Sequence, residues 1–243
     1  MHYVAIDPGH GVNTPGKRSP DSSLLEYKFN QDIAKYLKQE LDRHNIKNLI
    51  TCDGSYDMSL TERANKANNA GCDLFISIHG NAYGETWNNA SGWEDYVCAK
   101  GGNAEKFAKL LNKYCIDDLR LKDRGVKTAN FTVLLKTKMP AVLTENGFYT
   151  NRSECDRMKT EEFKRNCAIA HAKAICEYYG VKYIEQCNVI QPDDKERNMV
   201  DVWAKDAYDW VKKHDISDGK RPKDIATREE IWTLLYNYNK KVK

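Results

Sequence analysis

Over its first 180 residues, the chain alternates short apolar runs with longer amphipathic segments. The runs at residues 2–7, 48–52 and 73–78 are rich in apolar side chains, as is typical of strands buried on both faces. Between them, apolar side chains recur at helical spacing, for example over residues 25–41, and such segments form helices that pack on a sheet. Strands and helices in this order build a largely parallel sheet. The sequence therefore predicts an α/β fold, a mostly parallel twisted sheet with helices on both faces.

Capping residues and glycines indicate where several elements begin and end. Ser59 is followed three residues later by Glu62, a capping-box pattern that predicts a helix ending at Gly71. A last long amphipathic helix is predicted to end at Gly180. The remaining patterns predict strands at residues 93–99, 131–135 and 141–144 and a helix at residues 103–119.

The regular alternation stops near residue 180, which indicates a domain boundary. A polar stretch follows, and beyond it a more highly charged tail contains two short helical patterns. At about 150 residues per domain, a chain of 243 residues makes one full domain and a smaller piece. We therefore predict a main domain, large enough to be catalytic, at residues 1–180, a linker at residues 181–198 and a small α-helical domain at residues 199–243. A tail this small has little core of its own and could be stabilised by an oligomer contact.

Charge and composition exclude several classes of function. A net charge of +3 leaves no broad basic face for nucleic acid. No apolar run approaches the roughly 20 residues that cross a bilayer, so a membrane is not an expected partner either. The eight cysteines include no C-x-x-C pair, and in a chain of this length they are expected to be reduced, packed thiols. The first residues have the pattern of a strand and not of a signal peptide, which predicts synthesis in a cytoplasm.

Four residues with metal-binding or acid–base side chains fall at one edge of the predicted sheet. His10, His79 and Glu145 each follow a predicted strand, and Glu26 lies in the first turn of a helix that begins at the same edge. Two neutral imidazoles and one carboxylate form the ligand set of a catalytic zinc, and a second carboxylate could act as the general base. Each residue alone is more often structural, as a loop histidine or a glutamate facing a helix dipole. The prediction therefore depends on their convergence.

The segments around these residues resemble the zinc-dependent N-acetylmuramoyl-L-alanine amidases of the amidase-3 type. In the order of the family, and covering residues 1–180, they are VAIDPGHG, LLEYKFN, SLTERANKAN, DLFISIHGNA and MPAVLTENGFYTN. The resemblance implies that His10, Glu26 and His79 bind one Zn²⁺ per chain and that Glu145 is the catalytic carboxylate.

Two further residues match family positions. The resemblance implies substrate contacts from Asn81 and Arg63, for which a loop hydrogen bond and a buried ion pair are equally good alternatives. Trp87 and Trp93, in and after the loop that follows the third strand, are candidates for stacking on a sugar or for partial core positions.

The resemblance implies a peptidoglycan hydrolase that cleaves the amide bond between N-acetylmuramic acid and L-alanine. An amidase with a short tail and no signal pattern is typical of a phage or prophage endolysin, which is made in the cytoplasm and acts on the cell wall after release. The alternatives are a mother-cell autolysin with the same activity, a zinc peptidase that cuts within the stem peptide, and a non-catalytic wall-binding protein.

The tail itself resembles a single S-layer-homology-like repeat. Residues 201–207, DVWAKDA, open a first helical pattern, Asp218 and Gly219 form a turn signal, and TREE at residues 227–230 is a capping box for a second helix. The resemblance implies binding to cell-wall polymers. The same apolar spacing would also suit a helical hairpin or an oligomer contact.

Overall fold

The computed structural model describes residues 2–185 and 205–214, together with Leu235 and Tyr238. The chain divides into two compact units, Met1–Ile184 and Glu185–Lys243. The first unit contains, in chain order, the strands and helices β1 (Tyr3–Pro8), α1 (Glu26–Arg43), β2 (Lys47–Ile50), α2 (Leu60–Ala70), β3 (Leu74–Asn81), β4 (Trp93–Val97), α3 (Asn103–Leu119), β5 (Asp123–Thr128), α4 (Thr132–Lys136), β6 (Ala141–Phe148), α5 (Arg152–Met158) and α6 (Glu161–Tyr179).

The six strands form one sheet in the order β2-β1-β3-β6-β4-β5. Neighbouring strands are parallel except for β4 and β6, which are antiparallel. Helices α1, α3 and α6 pack on one face around Ile6, Ile76 and Val142, and α2 and α4 pack on the other around Phe75 and Leu143. The predicted α/β fold, with a mostly parallel sheet and helices on both faces, is confirmed.

Helix α2 forms as its capping residues predict. The Ser59 side chain accepts a hydrogen bond from the Glu62 backbone, the Glu62 carboxylate accepts one from the Ser59 backbone, and Gly71 ends the helix with φ = 70°. Each of the seven cysteines in the described part of the chain is a free thiol, as expected from the length of the chain.

The prediction of a strand at residues 131–135 is wrong, because this segment forms the short helix α4. Its adjacent side chains Val133 and Leu134 are both buried, whereas Phe131 and Leu135 are exposed, which is not the alternation of a strand. Strand β5 was not predicted, since its sequence DRGVKT has little apolar character. It lies at the edge of the sheet, where polar side chains are tolerated.

Two strands are longer than predicted. Strand β3 continues to Asn81 and β6 to Phe148, so His79 and Glu145 lie within strands and not in the loops after them. Helix α5 was also not predicted. In the part of the chain that the structure describes, no helix is long and apolar enough to cross a membrane.

In the second unit, the described residues include helix α7 (Lys205–Lys213), within the first helical pattern predicted for the tail. The Trp210 ring contacts the rings of His214 and Tyr238, with centroids 4.7 and 5.9 Å away. Most of the predicted linker, the turn at Asp218 and Gly219 and the TREE capping box lie outside the described residues.

Candidate metal centre

One face of the sheet changes from apolar to polar along its strands. Phe75 and Leu143 lie in the apolar cluster that packs on α2 and α4. Side chains on one face of a strand recur every second residue, so His79 on β3 and Glu145 on β6 continue the same face toward the carboxyl ends of the strands. His79 and Glu145 are also direct partners in the β3–β6 ladder. The polar part of this face therefore lies where α/β sheets bind their ligands.

Three of the predicted side chains converge at this edge. Oε1 of Glu26 lies 3.2 Å from Nε2 of His10 and 3.2 Å from Nδ1 of His79. The two imidazole rings are nearly perpendicular, with centroids 4.8 Å apart. One donor atom from each residue lies within 4.8 Å of the others, and both histidines are half-buried. Two imidazole nitrogens and a carboxylate oxygen this close together are a donor set that fits a divalent cation.

The cluster borders a cavity of about 280 Å³, which leaves room for a further ligand beside the donor atoms. Its wall includes His10, His79 and the loop before helix α2, from Asp57 to Ser59. A binding site with an open side is the arrangement expected of a catalytic metal site, since structural metal sites are closed by protein ligands.

His10 follows β1 in a strained backbone conformation, with φ = 65°. The buried Arg63 of α2 holds this turn by donating to the Pro8 carbonyl at 2.6 Å and the His10 carbonyl at 2.9 Å. It also forms an ion pair with Asp7 at 3.0 Å. The Arg63 side chain is only 1% exposed, which favours the alternative of a buried ion pair over a contact with substrate. Its observed role is to support the backbone that carries His10.

Glu26 is the first residue of α1 and is buried beside the two histidines. The Gly80 backbone N–H donates to Oε1 and the Tyr149 hydroxyl donates to Oε2, each at 3.2 Å. Burial alone would raise the pKa of the Glu26 carboxyl, but hydrogen bonds to His10 and His79 outweigh burial and hold the pKa well below its usual range. Glu26 is therefore ionised, as a metal ligand must be.

Glu145 lies one strand away, between His79 on β3 and Glu94 on β4 in the two ladders that β6 forms. Its Oε2 atom is buried and has no hydrogen-bond partner among the described residues. Burial, with the negative charges of Glu26 and Glu94, raises the pKa of the Glu145 carboxyl well above its usual range. A half-buried carboxyl group whose buried oxygen has no hydrogen-bond partner among the described residues is suited to proton transfer.

A second charged cluster, centred on Glu94, was not predicted from the sequence. The buried Glu94 carboxylate accepts hydrogen bonds from Asn81 at 2.7 Å and Tyr96 at 2.8 Å, and it pairs with Arg124 at 2.6 Å and with Lys127. Burial opposes ionisation, but these partners lower the pKa of Glu94 to about 2. The period-two spacing of Glu94 and Tyr96 indicates that both side chains lie on one face of a strand. Their partners Arg124 and Lys127 could not be identified from the sequence, because β5 is not predicted.

The other predicted substrate contacts, Asn81, Trp87 and Trp93, differ in burial and in their partners. Asn81, the last residue of β3, donates to Glu94 on β4, and its contact with substrate stays a prediction. Trp93 is fully buried in the core and cannot stack on a sugar. Trp87 is half-buried beneath the Arg152 guanidinium, whose carbon lies 3.8 Å from the ring centroid.

Comparison with known proteins gives consistent matches. The sporulation-specific N-acetylmuramoyl-L-alanine amidase of Bacillus subtilis (strain 168) is 35% identical over 185 residues, which cover 75% of this chain and 70% of that protein. The endolysin of Bacillus phage SPP1 is 33% identical over 204 residues, which cover 79% of this chain and 71% of that protein.

A solved structure agrees with these relatives. The crystal structure of N-acetylmuramoyl-L-alanine amidase from Clostridium difficile 630 matches with a TM-score of 0.71 and 32% sequence identity, covering 75% of this chain and 98% of that one. The sequence profile of the amidase-3 family, described as N-acetylmuramoyl-L-alanine amidase, matches residues 4–177, which include all four residues of the site. The chain therefore belongs to the N-acetylmuramoyl-L-alanine amidase family.

Proposed function

We propose that this chain is a zinc-dependent amidase that hydrolyses the amide bond between the lactyl group of N-acetylmuramic acid and L-alanine in peptidoglycan. The observation that carries the proposal is the convergence of His10, Glu26 and His79, with donor atoms within 4.8 Å of one another. Beside them lies a buried oxygen of Glu145 that has no hydrogen-bond partner in the described part of the chain. Membership of the amidase family supports the choice of bond.

One zinc ion per chain suits this site, because two imidazole nitrogens and one carboxylate oxygen are a common catalytic set for zinc. His10, Glu26 and His79 would hold it. When bound, the ion supplies Lewis acidity, which polarises a carbonyl and lowers the pKa of water. The hydrogen bonds from Gly80 and Tyr149 to Glu26 fix the orientation of its carboxylate, a supporting role that commonly matters for metal affinity.

Glu145 performs the proton transfers. Its carboxylate accepts a proton from the attacking water and then donates that proton to the alanine nitrogen as the C–N bond breaks. Its position opposite His79 in the β3–β6 ladder keeps the carboxylate next to the metal ligands without making it one. The raised pKa of Glu145 favours holding the proton between the two steps.

The biological setting that we propose is a phage or prophage endolysin, made in the cytoplasm and acting on the wall after release. The similarity to the endolysin of phage SPP1 supports this setting. A mother-cell autolysin is the second candidate, supported by the similarity to the sporulation-specific amidase. Both settings use the same reaction on the same substrate.

Mass spectrometry of digested cell walls tests the reaction. Purified enzyme should release stem peptides that begin with a free L-alanine amino group and leave glycan strands whose muramic acid carries no peptide. A chelator should stop this release, and added zinc should restore it. Cleavage within the stem peptide would instead indicate a zinc peptidase, and intact alanine–muramyl linkages after lysis would contradict the amidase proposal.

A further inference from the structure

Four neighbouring strands contribute polar and charged side chains to a single row across one face of the sheet. His79 on β3 is the ladder partner of Glu145 on β6, and Glu145 is the ladder partner of Glu94 on β4. Direct partners in a ladder point to the same face. The row ends on β5, where Arg124 and Lys127 pair with Glu94. It therefore runs from the metal centre to the edge of the sheet.

The β5 end of the row presents more positive than negative charge to solvent. Arg124 and Lys127 share a single oxygen, Oε2 of Glu94, because Oε1 is taken by Asn81 and Tyr96. The side chains of Arg124 and Lys127 are 30% and 37% exposed, whereas that of Glu94 is 5% exposed. Two cations thus lie above one buried carboxylate.

Arg124 retains donors for an additional partner. Its Nε donates to Glu94 and its Nη1 donates to the Ser91 carbonyl at 3.4 Å. Among the described residues, its Nη2 atom has no hydrogen-bond partner. A guanidinium held in place by one carboxylate can still bind a second carboxylate through its free edge.

The distance from Glu145 to the two cations is comparable to the distance from the scissile amide to the next residue of a peptide substrate. Adjacent strands lie about 4.8 Å apart, so Glu94 is one such step from Glu145 and the cations lie just beyond it. One residue of extended chain spans about 3.5 Å. If the scissile amide lies beside Glu145 and the peptide crosses the strands toward β5, the residue that follows L-alanine reaches Arg124 and Lys127.

We propose that Arg124 and Lys127 bind a free carboxylate on the stem-peptide residue that follows L-alanine. This inference rests on the proposed amidase function and names a specificity-determining contact of the same site. The enzyme then prefers a stem peptide with a carboxylate at this residue over one in which the same group is a carboxamide. Glu94 is a positioning residue, because its carboxylate holds both cations beside the strand position that is directly opposite Glu145.

The test uses the full chain loaded with zinc and two synthetic muramyl peptides that differ only in this group, carboxylate or carboxamide. We expect wild-type kcat/KM to be about tenfold or more higher for the carboxylate, as is typical of hydrogen bonds between charged groups. In the double variant Arg124→Gln/Lys127→Gln, the ratio should fall close to one, chiefly through a higher KM for the carboxylate peptide. Turnover of the carboxamide should fall much less than turnover of the carboxylate, because only the carboxylate loses its two charged partners.

Lys38→Gln is the matched control, because Lys38 pairs with Asp42 on the exposed surface of α1, outside this row. It should keep the wild-type ratio. Raising the salt concentration should lower the ratio in the wild type and leave the double variant unaffected. A wild-type enzyme that hydrolyses both peptides equally, or a double variant that loses activity on both to the same extent, would overturn the inference. Failure to cleave the muramyl amide in either peptide would instead contradict the proposed function.

Discussion

Gly9 lies directly before His10 and against the imidazole ring of His79, where a Cβ atom would come within 2.1 Å of Cε1. No side chain fits in that space unless the His79 ring moves. The backbone of His79 is also fixed, because the Asn146 side chain donates to its carbonyl at 2.8 Å. Hydrogen bonds to their backbone carbonyls therefore help to place both histidines, and Gly9 leaves the space that the His79 ring occupies.

The variant Gly9→Ala should weaken zinc binding, since the new methyl group displaces the His79 ring from its position beside Glu26. We expect a loss of about 10- to 100-fold in zinc affinity, the usual effect of disturbing a residue that orients a ligand. Zinc titration with a competing chelator measures it. Gly102→Ala is the control, because its Cβ atom meets nothing within 4 Å. Unchanged affinity in Gly9→Ala would show that the site adapts to the methyl group.

Replacing Glu145 with Gln should reduce kcat by about 10²–10⁴ and leave the zinc content at one ion per chain. The amide cannot accept or return a proton, but it occupies nearly the same volume as the carboxyl group. Activity on a muramyl peptide and metal analysis of the same sample give the two readouts. If zinc is lost together with activity, Glu145 is a ligand and its proposed role is wrong.

Most residues of the candidate site could be identified from the sequence alone. His10, Glu26, His79 and Glu145 could be selected because each follows or begins a recognisable element, and the carboxyl ends of parallel strands share one edge. For Arg63 the sequence left a buried ion pair and a substrate contact as alternatives, and it could not predict which groups the side chain binds. Its burial and its bonds to the turn around His10 depend on how α2 packs against β1, which no local pattern specifies.

At the scale of elements, helix α6 packs on the sheet through a fully buried histidine. His171 contacts the Thr144 hydroxyl on β6 at 3.2 Å and the Cys167 carbonyl at 2.7 Å, and its ring lies edge-on to Trp93. Burial lowers the pKa of His171 to about 4 from its model-peptide value of 6.5. The folded domain therefore keeps this imidazole neutral at a pH where the unfolded chain protonates it.

This burial makes stability depend on pH between about 6.5 and 4. In that window the unfolded chain binds more protons than the folded one, so stability is complete above pH 6.5 and falls as the pH is lowered. At pH 5 the loss attributable to His171 is about 2 kcal/mol. The free energy of unfolding in urea, measured at pH 7.5 and pH 5, should fall less in His171→Gln than in the wild type. Equal decreases would show that His171 is not the responsible group.

Strand β5 and helix α4 show why some elements could not be predicted. An edge strand needs little apolar character, so β5 has no local signal that separates it from a loop. The FTVLL segment at residues 131–135 is apolar and short enough to suit either a strand or a helix. Its helical state is decided by packing against α2 and the sheet.

At the scale of the whole molecule, all four residues of the candidate site belong to the unit Met1–Ile184. The described part of the other unit includes helix α7, whose Trp210 is 43% exposed. We propose, on the resemblance to an S-layer-homology-like repeat, that this second unit binds cell-wall polymers.

Truncation after Ile184 separates the two roles. The shortened chain should keep its kcat/KM on a small soluble muramyl peptide to within about twofold, because the site is complete within the first unit. Its sedimentation with purified walls should fall sharply. The full chain carrying Glu145→Gln is the control for sedimentation, since it cannot digest the walls during the assay. Equal sedimentation of the truncated and full chains would exclude wall binding by the second unit, and an oligomer contact could then be tested by light scattering.

The sequence by itself determined the α/β fold class, the limits of α2 and the four residues that converge at the carboxyl ends of the strands. These features depend on periodicity, capping and the rule that parallel strands share an edge, and all of them act over a few residues or follow from element order. Only the tertiary structure placed Glu145 between His79 and Glu94 and brought Arg124 and Lys127 to the same row. The reason is that β6 pairs with β3 and β4, which lie far from it in the chain, and such pairing depends on the packing of the whole domain.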